Sequence, residues 1–298
     1  MPESRPSLSV VVSTRQGWPS IKRAIESLDE QVRDVGGELI VVDASGLPAP
    51  VLADHVRWLE QPVDLSVFQL RQRGYHLATA EIIAVTEDHC RVTAGWCRRV
   101  LDLHAAYPEA IAIGGAVDNG TRDTNIDWAA YLVTQLPFTA PLQDGPAARV
   151  TGPANLSLKR KAVERLPENE GFGTIELFDQ AALLEPGEVF WLDSGLVVFH
   201  EQSLGFRGTS VIEFHNGRTL GGFRRRAMSR GDWARVLGSP LLVAYRTVRT
   251  LRMAWGKRVP RSAVLAAAPA IAWLQVCNAA GELLGYATGP GDSPRRLR

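Results

Sequence analysis

The chain has 298 residues, enough to bury a large core as one α/β domain with an appendage or as two small domains. A hydrophobic fraction of 45% and a charged fraction of 22% exclude a disordered or collagen-like chain. The net charge is +1, but residues 218–261 carry +11 and the remainder carries −10. The basic segment favours an anionic partner, namely a membrane, a nucleic acid or a phosphorylated substrate, with a solvated basic face as the alternative.

The cysteines and the N-terminus indicate the compartment. Cys90, Cys97 and Cys277 form no close metal-binding pair, and their odd number argues against a disulfide framework. The first residues lead directly into a strand and lack the apolar stretch of a signal peptide. We therefore expect a reducing, cytoplasmic location.

Strands and helices alternate along the first two thirds of the chain. The predicted strands are 8–13, 38–42, 56–59, 82–86, 110–117, 155–158 and 195–200, and the predicted helices are 68–80, 94–107, 128–136, 160–166 and 176–184. A further helix is predicted after an N-cap at Ser20, with its apolar face formed by Ile21, Ala24, Ile25 and Leu28. This order predicts an α/β fold with a mostly parallel sheet and helices on both faces.

Polar groups follow the strand that begins at Ile82. Its apolar run is followed directly by Glu87, Asp88 and His89. A buried parallel strand delivers such groups to the carboxyl edge of its sheet, where oxygen and nitrogen ligands suit a divalent cation. A cation in such a crevice usually accompanies phosphate. An ordinary acidic turn is the alternative.

Several features occur together in a recognisable order. They are strands ending at Thr14-Arg15 and at Asp43, Arg71 before Gly74, the Glu87-Asp88-His89 cluster, the segment 152–160, and Glu176 with Gly187 downstream. This order resembles family 2 glycosyltransferases with the GT-A fold, a Rossmann-like nucleotide-sugar domain. The resemblance implies a glycosyltransferase domain at 1–225. The residues beyond it predict a basic and apolar helical region at 226–290 and a flexible tail at 291–298.

The resemblance implies an inverting transfer from a nucleoside diphosphate sugar to an unknown acceptor hydroxyl. The residues expected to bind the nucleotide sugar are Thr14, Arg15, Asp43, Arg71, Glu87, Asp88, Asn155 and Arg218. A carboxylate such as Asp43 can accept from an imide N–H or a ribose hydroxyl, although an Asx turn would also explain it. A surface salt bridge is the alternative for Arg71.

The resemblance also implies a metal, with Asp88, His89 and His200 as the expected ligands. His89 stands where the family usually has Asp. Imidazole is a competent ligand for Mn²⁺ and a poor one for Mg²⁺, so the sequence favours manganese, with loss of the metal site as the alternative.

Glu176 matches the family's catalytic base, and Asp179 is a second candidate one turn away. An inverting transfer needs a carboxylate to take the proton of the acceptor hydroxyl as it attacks. The alternative for Glu176 is an exposed carboxylate on a helix.

Two other functions compete with this prediction. A sugar nucleotidyltransferase would want a glycine-rich basic loop after the first strand, whereas residues 14–20 contain one glycine. A catalytically inactive module that binds a membrane surface is the second. Nucleic-acid binding is not expected, because aromatic residues are sparse among the basic ones.

The C-terminal third predicts attachment to an anionic membrane surface. Leu241, Tyr245, Val248, Leu251 and Trp255 share one helical face, with Arg246, Arg249 and Arg252 beside it. The next apolar stretch, 263–280, contains Pro269, Gln275 and Asn278 and is marginal against the roughly 20 apolar residues of a spanning helix. We therefore expect peripheral binding on the cytoplasmic face of the membrane, with a soluble helical cap as the alternative.

Overall fold

The structure is a computed structural model that describes residues 5–167, 180–226 and 239–297 and positions 173, 233 and 236. The chain forms two compact units. The N-terminal unit comprises residues up to Asp118 and Ala140–Glu201, and the C-terminal unit comprises Asn119–Thr139 and Gln202–Leu297. The boundary predicted at residue 225 falls in the last turn of the helix Gly205–Arg226. The C-terminal unit therefore contains this whole helix, and it also includes Asn119–Thr139.

The N-terminal unit is built on a mixed sheet. Its strands are β1 (Leu8–Thr14), β2 (Glu38–Asp43), β3 (Val56–Glu60), β4 (Ile82–Glu87), β5 (Cys90–Val92), β6 (Ala110–Asn119), β7 (Gly145–Ala147), β8 (Leu156–Lys159) and β9 (Val189–His200). Their order is β3-β2-β1-β4-β8-β6-β9-β5, and β7 pairs with β9. The four neighbouring strands β3, β2, β1 and β4 are parallel to one another. Strand β8 is antiparallel to both of its neighbours, β4 and β6.

The described helices are α1 (Lys22–Asp34), α2 (Val67–Leu77), α3 (Trp96–Ala106), α4 (Asn125–Thr134), α5 (Arg160–Arg165), α6 (Gly205–Arg226), α7 (Ser239–Trp255) and α8 (Arg261–Thr288). Short 3-10 helices lie at Leu136–Phe138, Gln180–Leu183 and Ser293–Arg296. The sheet with its flanking helices confirms the predicted α/β class. The helix predicted at 176–184 lies partly outside the described residues.

Burial explains why the strands were readable in the sequence. All seven residues of β1 are buried, so a parallel strand covered on both faces appears as an unbroken apolar run.

The predicted cap of α1 is wrong in its position. The helix begins at Lys22, and its N-cap is Ile21, which makes no side-chain capping bond. The apolar face is nevertheless confirmed, since Ala24, Ile25 and Leu28 are buried.

In the C-terminal unit, α6 and α8 pack closely through glycines spaced four residues apart. A Cβ atom on Gly281 of α8 would lie 1.9 Å from the Phe214 carbonyl oxygen, and one on Gly217 of α6 would lie 1.9 Å from that of Asn278. At Gly221 and Gly285, one turn further along each helix, a Cβ atom would lie 2.3 Å from a backbone oxygen of the other helix. Only glycine allows the two backbones to approach this closely.

Buried carboxylates lie beside this glycine contact. Glu282 of α8 accepts hydrogen bonds from Arg224 Nη1 at 2.6 Å and Arg246 Nη2 at 2.8 Å. Glu213 of α6 accepts weaker bonds from the amides of Asn216 and Asn278, both at 3.2 Å. Burial raises the pKa of Glu213 to about 7.

The tail predicted to be flexible at 291–298 is folded where it is described. Ser293 and Leu297 are buried, and Ser293 Oγ lies 2.9 Å from His215 Nδ1 on α6. These contacts hold the 3-10 helix Ser293–Arg296 within the C-terminal unit.

Candidate nucleotide and metal site

Polar residues meet at the carboxyl edge of the parallel strands, as the sequence predicted. Thr14 ends β1 and is aligned with Asp43 at the end of β2. Ser13 is aligned with Glu87 at the end of β4. In open α/β sheets this edge is where ligands bind.

The hydroxyl of Thr14 makes three hydrogen bonds at this edge. Thr14 is fully buried, and its Oγ1 donates to Asp88 Oδ2 at 2.7 Å. The same oxygen accepts the backbone N–H groups of Gln16 and Gly17. Gly17 has a φ of +62°, and a Cβ there would lie 2.2 Å from Ser45 Oγ. The loops after β1 and β2 are thus held together by contacts that a larger residue at Gly17 would prevent.

Asp43 organises the loop after β2. Its Oδ1 accepts the Ser45 N–H at 2.7 Å, and its Oδ2 accepts the Ser45 hydroxyl at 3.0 Å. The Asx turn that the sequence left open is therefore present. The predicted nucleotide contact of Asp43 stays a prediction, and it would have to coexist with this turn.

Two histidines and a glutamate form a cluster of metal-ligating atoms. Asp88 and His89 lie between β4 and the short strand β5, and Cys90 of β5 pairs with His200 of β9. This pairing brings His200 Nε2 to 3.0 Å from His89 Nε2. Glu87 Oε2 lies 3.5 Å from His89 Nε2 and 3.7 Å from His200 Nε2.

Asp88 supports this cluster and does not belong to it. Its Oδ1 lies 2.8 Å from His89 Nδ1, and its Oδ2 accepts from Thr14. A carboxylate on the far nitrogen of an imidazole fixes the orientation of the ring and its tautomer. The sequence assigned Asp88 to ribose and metal, whereas here both of its oxygens are engaged by protein.

The donor set fits a divalent cation. Glu87 Oε2, His89 Nε2 and His200 Nε2 all lie within 4.8 Å of one another, which is close enough to share one ion. Burial, with a smaller contribution from His89, holds the pKa of His200 well below its usual value. His200 is thus neutral near pH 7, which leaves a lone pair for a metal.

Two of the three predicted arginines, Arg15 and Arg71, lie in the N-terminal unit. Arg71 on α2 is buried, and its guanidinium lies 5.1 Å from the centroid of the Phe68 ring. The predicted nucleotide contact of Arg71 stays a prediction. Arg15 Nη2 donates to the Val63 carbonyl at 3.2 Å, which ties the loop after β1 to the segment before α2.

Asn155 is bonded to protein groups on three sides, and its predicted sugar contact stays a prediction. Asn155 is fully buried, its Nδ2 donates to the carbonyls of Ala116 and Leu196, and its Oδ1 accepts from Trp96 Nε1. Asn155 thus joins β6, β9 and α3.

Three predicted residues cannot be placed in the cluster. Glu176 and Asp179 lie outside the described residues. Arg218 lies on α6 of the C-terminal unit, where its Nε donates to the Gly289 carbonyl at 3.4 Å. Their predicted roles in catalysis and nucleotide binding stay predictions.

An ion-pair network lies next to His200, and no motif in the sequence indicated it. Glu201 accepts from Arg91 Nε at 2.9 Å and lies 2.8 Å from Arg23 Nη1. Its backbone N–H donates to the His89 carbonyl at 2.8 Å. These contacts hold the end of β9 against the turn that carries His89, and they join residues too distant in sequence for any motif to connect them.

Comparison with known structures defines the fold as GT-A. The structure of a mannosyltransferase from Pyrobaculum calidifontis, PcManGT, in complex with GDP-Man and Mn²⁺, matches with a TM-score of 0.57 and 16% identity, covering 95% of this chain and 88% of that one. GalNAc-T7 with UDP, GalNAc and Mn²⁺ matches with a TM-score of 0.48 and 14% identity over 66% of this chain and 44% of that one, a similarity too low to define a fold.

The family follows from the sequence. The family model for glycosyl transferase family 2 matches residues 9–167, more than half of the chain. The chain therefore belongs to glycosyl transferase family 2. No curated protein sequence matches it.

Proposed function

We propose that this protein transfers a sugar, with inversion, from a nucleoside diphosphate sugar to an acceptor hydroxyl, assisted by a divalent cation. Family membership and the GT-A fold support a glycosyltransferase. The observation that carries the metal-assisted form is the cluster of Glu87, His89 and His200 beside Thr14 and Asp43. The structural neighbour PcManGT was solved with GDP-Man and Mn²⁺, which agrees with this ligand class.

Different residues of this site would bind the nucleoside and the cation. Thr14 and Asp43 shape the loops in which the nucleoside would lie, and Glu87, His89 and His200 would hold the cation. A bound cation would neutralise charge on the diphosphate. Because two of the three ligands are imidazoles, we propose Mn²⁺ over Mg²⁺.

Proton removal from the acceptor is assigned by the family resemblance. Glu176 would take the hydroxyl proton as the acceptor attacks the anomeric carbon, with Asp179 as the second candidate. The sugar, the base and the acceptor are left open in this proposal, and the expected cytoplasmic location stays a prediction.

A panel of nucleotide sugars, incubated with the full chain and either Mn²⁺ or EDTA, tests this function. The proposal predicts release of nucleoside diphosphate from at least one donor and a Mn²⁺-dependent thermal shift with the matching diphosphate. An inactive module would release none and show no such shift. A nucleotidyltransferase would instead form a nucleotide sugar and pyrophosphate from a nucleoside triphosphate and a sugar phosphate.

A further inference from the structure

We propose that the outer faces of α7 and α8 form a docking surface for an anionic lipid bilayer, with both helices lying on the membrane and not crossing it. This inference is independent of the nucleotide site. It rests on the exposed side chains of the C-terminal unit.

The outer face of α8 is apolar from Leu265 to Ala287. Leu265, Trp273, Val276, Leu283 and Leu284 are each at least 36% exposed. Pro269, Ala280 and Ala287 occupy the same exposed face. At 1.5 Å per residue, the residues from Leu265 to Ala287 present an apolar stripe about 35 Å long.

The exposed face of α7 combines apolar and basic side chains. Leu241 is 80% exposed and Tyr245 is 61% exposed, and Val248 and Trp255 follow at helical spacing. Arg249 and Arg252 are exposed beside them. Apolar residues are normally turned inward on a helix of a globular protein, so this outward arrangement indicates a partner.

The exposed charged side chains of α7, of α8 and of the turn between them are all positive. Arg249, Arg252, Arg258 and Arg261 are exposed, and the guanidinium of Arg261 lies over the ring of Trp255 at 5.4 Å. Glu282 is the only acidic residue between 241 and 288, and it is buried. An anionic leaflet is complementary to this charge.

A lipid surface fits better than a protein partner. A protein interface of this length would be expected to include about one hydrogen bond per 100–200 Å², but the exposed stripe of α8 offers almost no polar side chain. Tyr245, Trp255 and Trp273 are of the type that concentrates at membrane–water boundaries.

The inner face of α8 argues against spanning. The helix is long and apolar enough to cross a membrane by length and composition. However, its inner face carries Gln275, Asn278 and Glu282, and the last two bond to Arg246 of α7. Crossing would either break these bonds or carry the paired charges into hydrocarbon, which is costly. Lying on the surface buries the apolar face and leaves the polar network intact.

Co-sedimentation of the full chain with vesicles tests the proposal. The vesicles are phosphatidylcholine alone or with about one quarter phosphatidylglycerol, at low salt and at 1 M NaCl, where the Debye length is about 3 Å. We expect binding to anionic vesicles at low salt only, and release by high salt or alkaline carbonate. Absence of binding at low salt, or equal binding to neutral vesicles, would overturn the proposal, and resistance to carbonate would overturn the surface placement.

Paired variants separate the two contributions. R249E/R252E should lower the partition coefficient at least 30-fold, since each basic residue contributes about fivefold. L241E/V248E should lower it more than about tenfold by removing apolar burial. Matched controls in the N-terminal unit, R33E/R98E and V51E/V63E, change exposed residues of the same types and should leave binding unchanged.

Oligomeric state provides the alternative outcome. If α7 and α8 cover each other in a second copy of the chain, sedimentation velocity would show a dimer that L241E/V248E converts to monomer, with no vesicle binding by either form. That result would overturn the lipid proposal. Circular dichroism and thermal midpoints of all four double variants should match the parent, because every substituted side chain is exposed.

Discussion

His89 and His200 are 111 residues apart in the sequence, yet their Nε2 atoms lie 3.0 Å apart. The short strand β5 makes this possible, because it pairs Cys90 with His200 immediately after the turn that carries His89. The candidate metal centre therefore depends on the pairing of β5 with β9 as much as on the acidic cluster at the end of β4.

Asp88 provides a test of the support given to His89. Replacing Asp88 by Asn retains an oxygen for the Thr14 hydroxyl but removes the charge that orients the imidazole. Loss of such an outer contact typically lowers metal affinity by about 10–100-fold. Mn²⁺ titration followed by electron paramagnetic resonance should show this weakening, while the thermal midpoint stays close to that of the parent. Unchanged affinity would remove Asp88 from the site.

His200 provides a test of the ligand set. H200Q removes one imidazole nitrogen and should weaken Mn²⁺ binding by more than about tenfold, since it changes one of three ligands. His76 is an exposed histidine on α2, so H76Q is the matched control and should bind like the parent. Equal affinities of H200Q and H76Q would place the metal elsewhere.

How far the sequence predicts this site depends on the distance over which each contact acts. The ends of β1, β2 and β4 were predictable, because buried parallel strands appear as apolar runs and their last residues share one edge. The partners of Asp88 were not, since its bonds to Thr14 and to the neighbouring histidine are set by tertiary packing.

Asn155 shows the same limit in the opposite direction. A motif predicted that Asn155 lies near a ligand. Three-residue strands such as β5 and β7 have too little periodicity to be predicted. Only the second half of the long strand β9 was predicted. The carbonyl of Leu196 lies in the predicted half of β9, but its contact with Asn155 joins residues 41 apart in the sequence and is set by tertiary packing, so the burial of Asn155 could not be foreseen.

Glu176 is the expected catalytic base. E176Q should keep donor binding and lower turnover by about 10²–10⁴, the usual contribution of a positioned general base. Steady-state rates and diphosphate binding, measured on the same preparation, separate the two effects. Normal turnover in E176Q together with loss of activity in D179N would transfer the role to Asp179.

The buried Glu213 predicts a pH-dependent stability. Its folded-state pKa of about 7 lies above the usual 4.5, so the folded state binds the proton more tightly. The stabilisation that this proton gives is complete below pH 4.5 and is lost as the pH rises to about 7. The free energy of unfolding falls by roughly 3 kcal/mol at most over this range. E213Q should remove this slope in urea unfolding, whereas E26Q, at an exposed site, should retain it. A slope unchanged in E213Q would assign the effect to another group.

The close packing of α6 on α8 predicts a strong effect at Gly281. An added methyl would lie 1.9 Å from the Phe214 carbonyl oxygen, so G281A should destabilise the C-terminal unit by at least about 2 kcal/mol despite the higher helix propensity of alanine. At Gly256 the nearest atom would be 3.6 Å away, so G256A is the control and should be close to neutral. Similar thermal midpoints for the two variants would contradict the described helix contact.

The nucleotide-sugar site that we propose lies at the carboxyl edge of β1, β2 and β4 and depends on a divalent cation. Its most direct test is calorimetric titration of GDP and UDP into the full chain with Mn²⁺ or with EDTA, for the parent and for H89Q/H200Q. We predict that at least one diphosphate binds the parent at least tenfold more tightly with Mn²⁺, and that the double variant loses this difference. Equal binding in EDTA, or binding of neither diphosphate under any condition, would contradict the account.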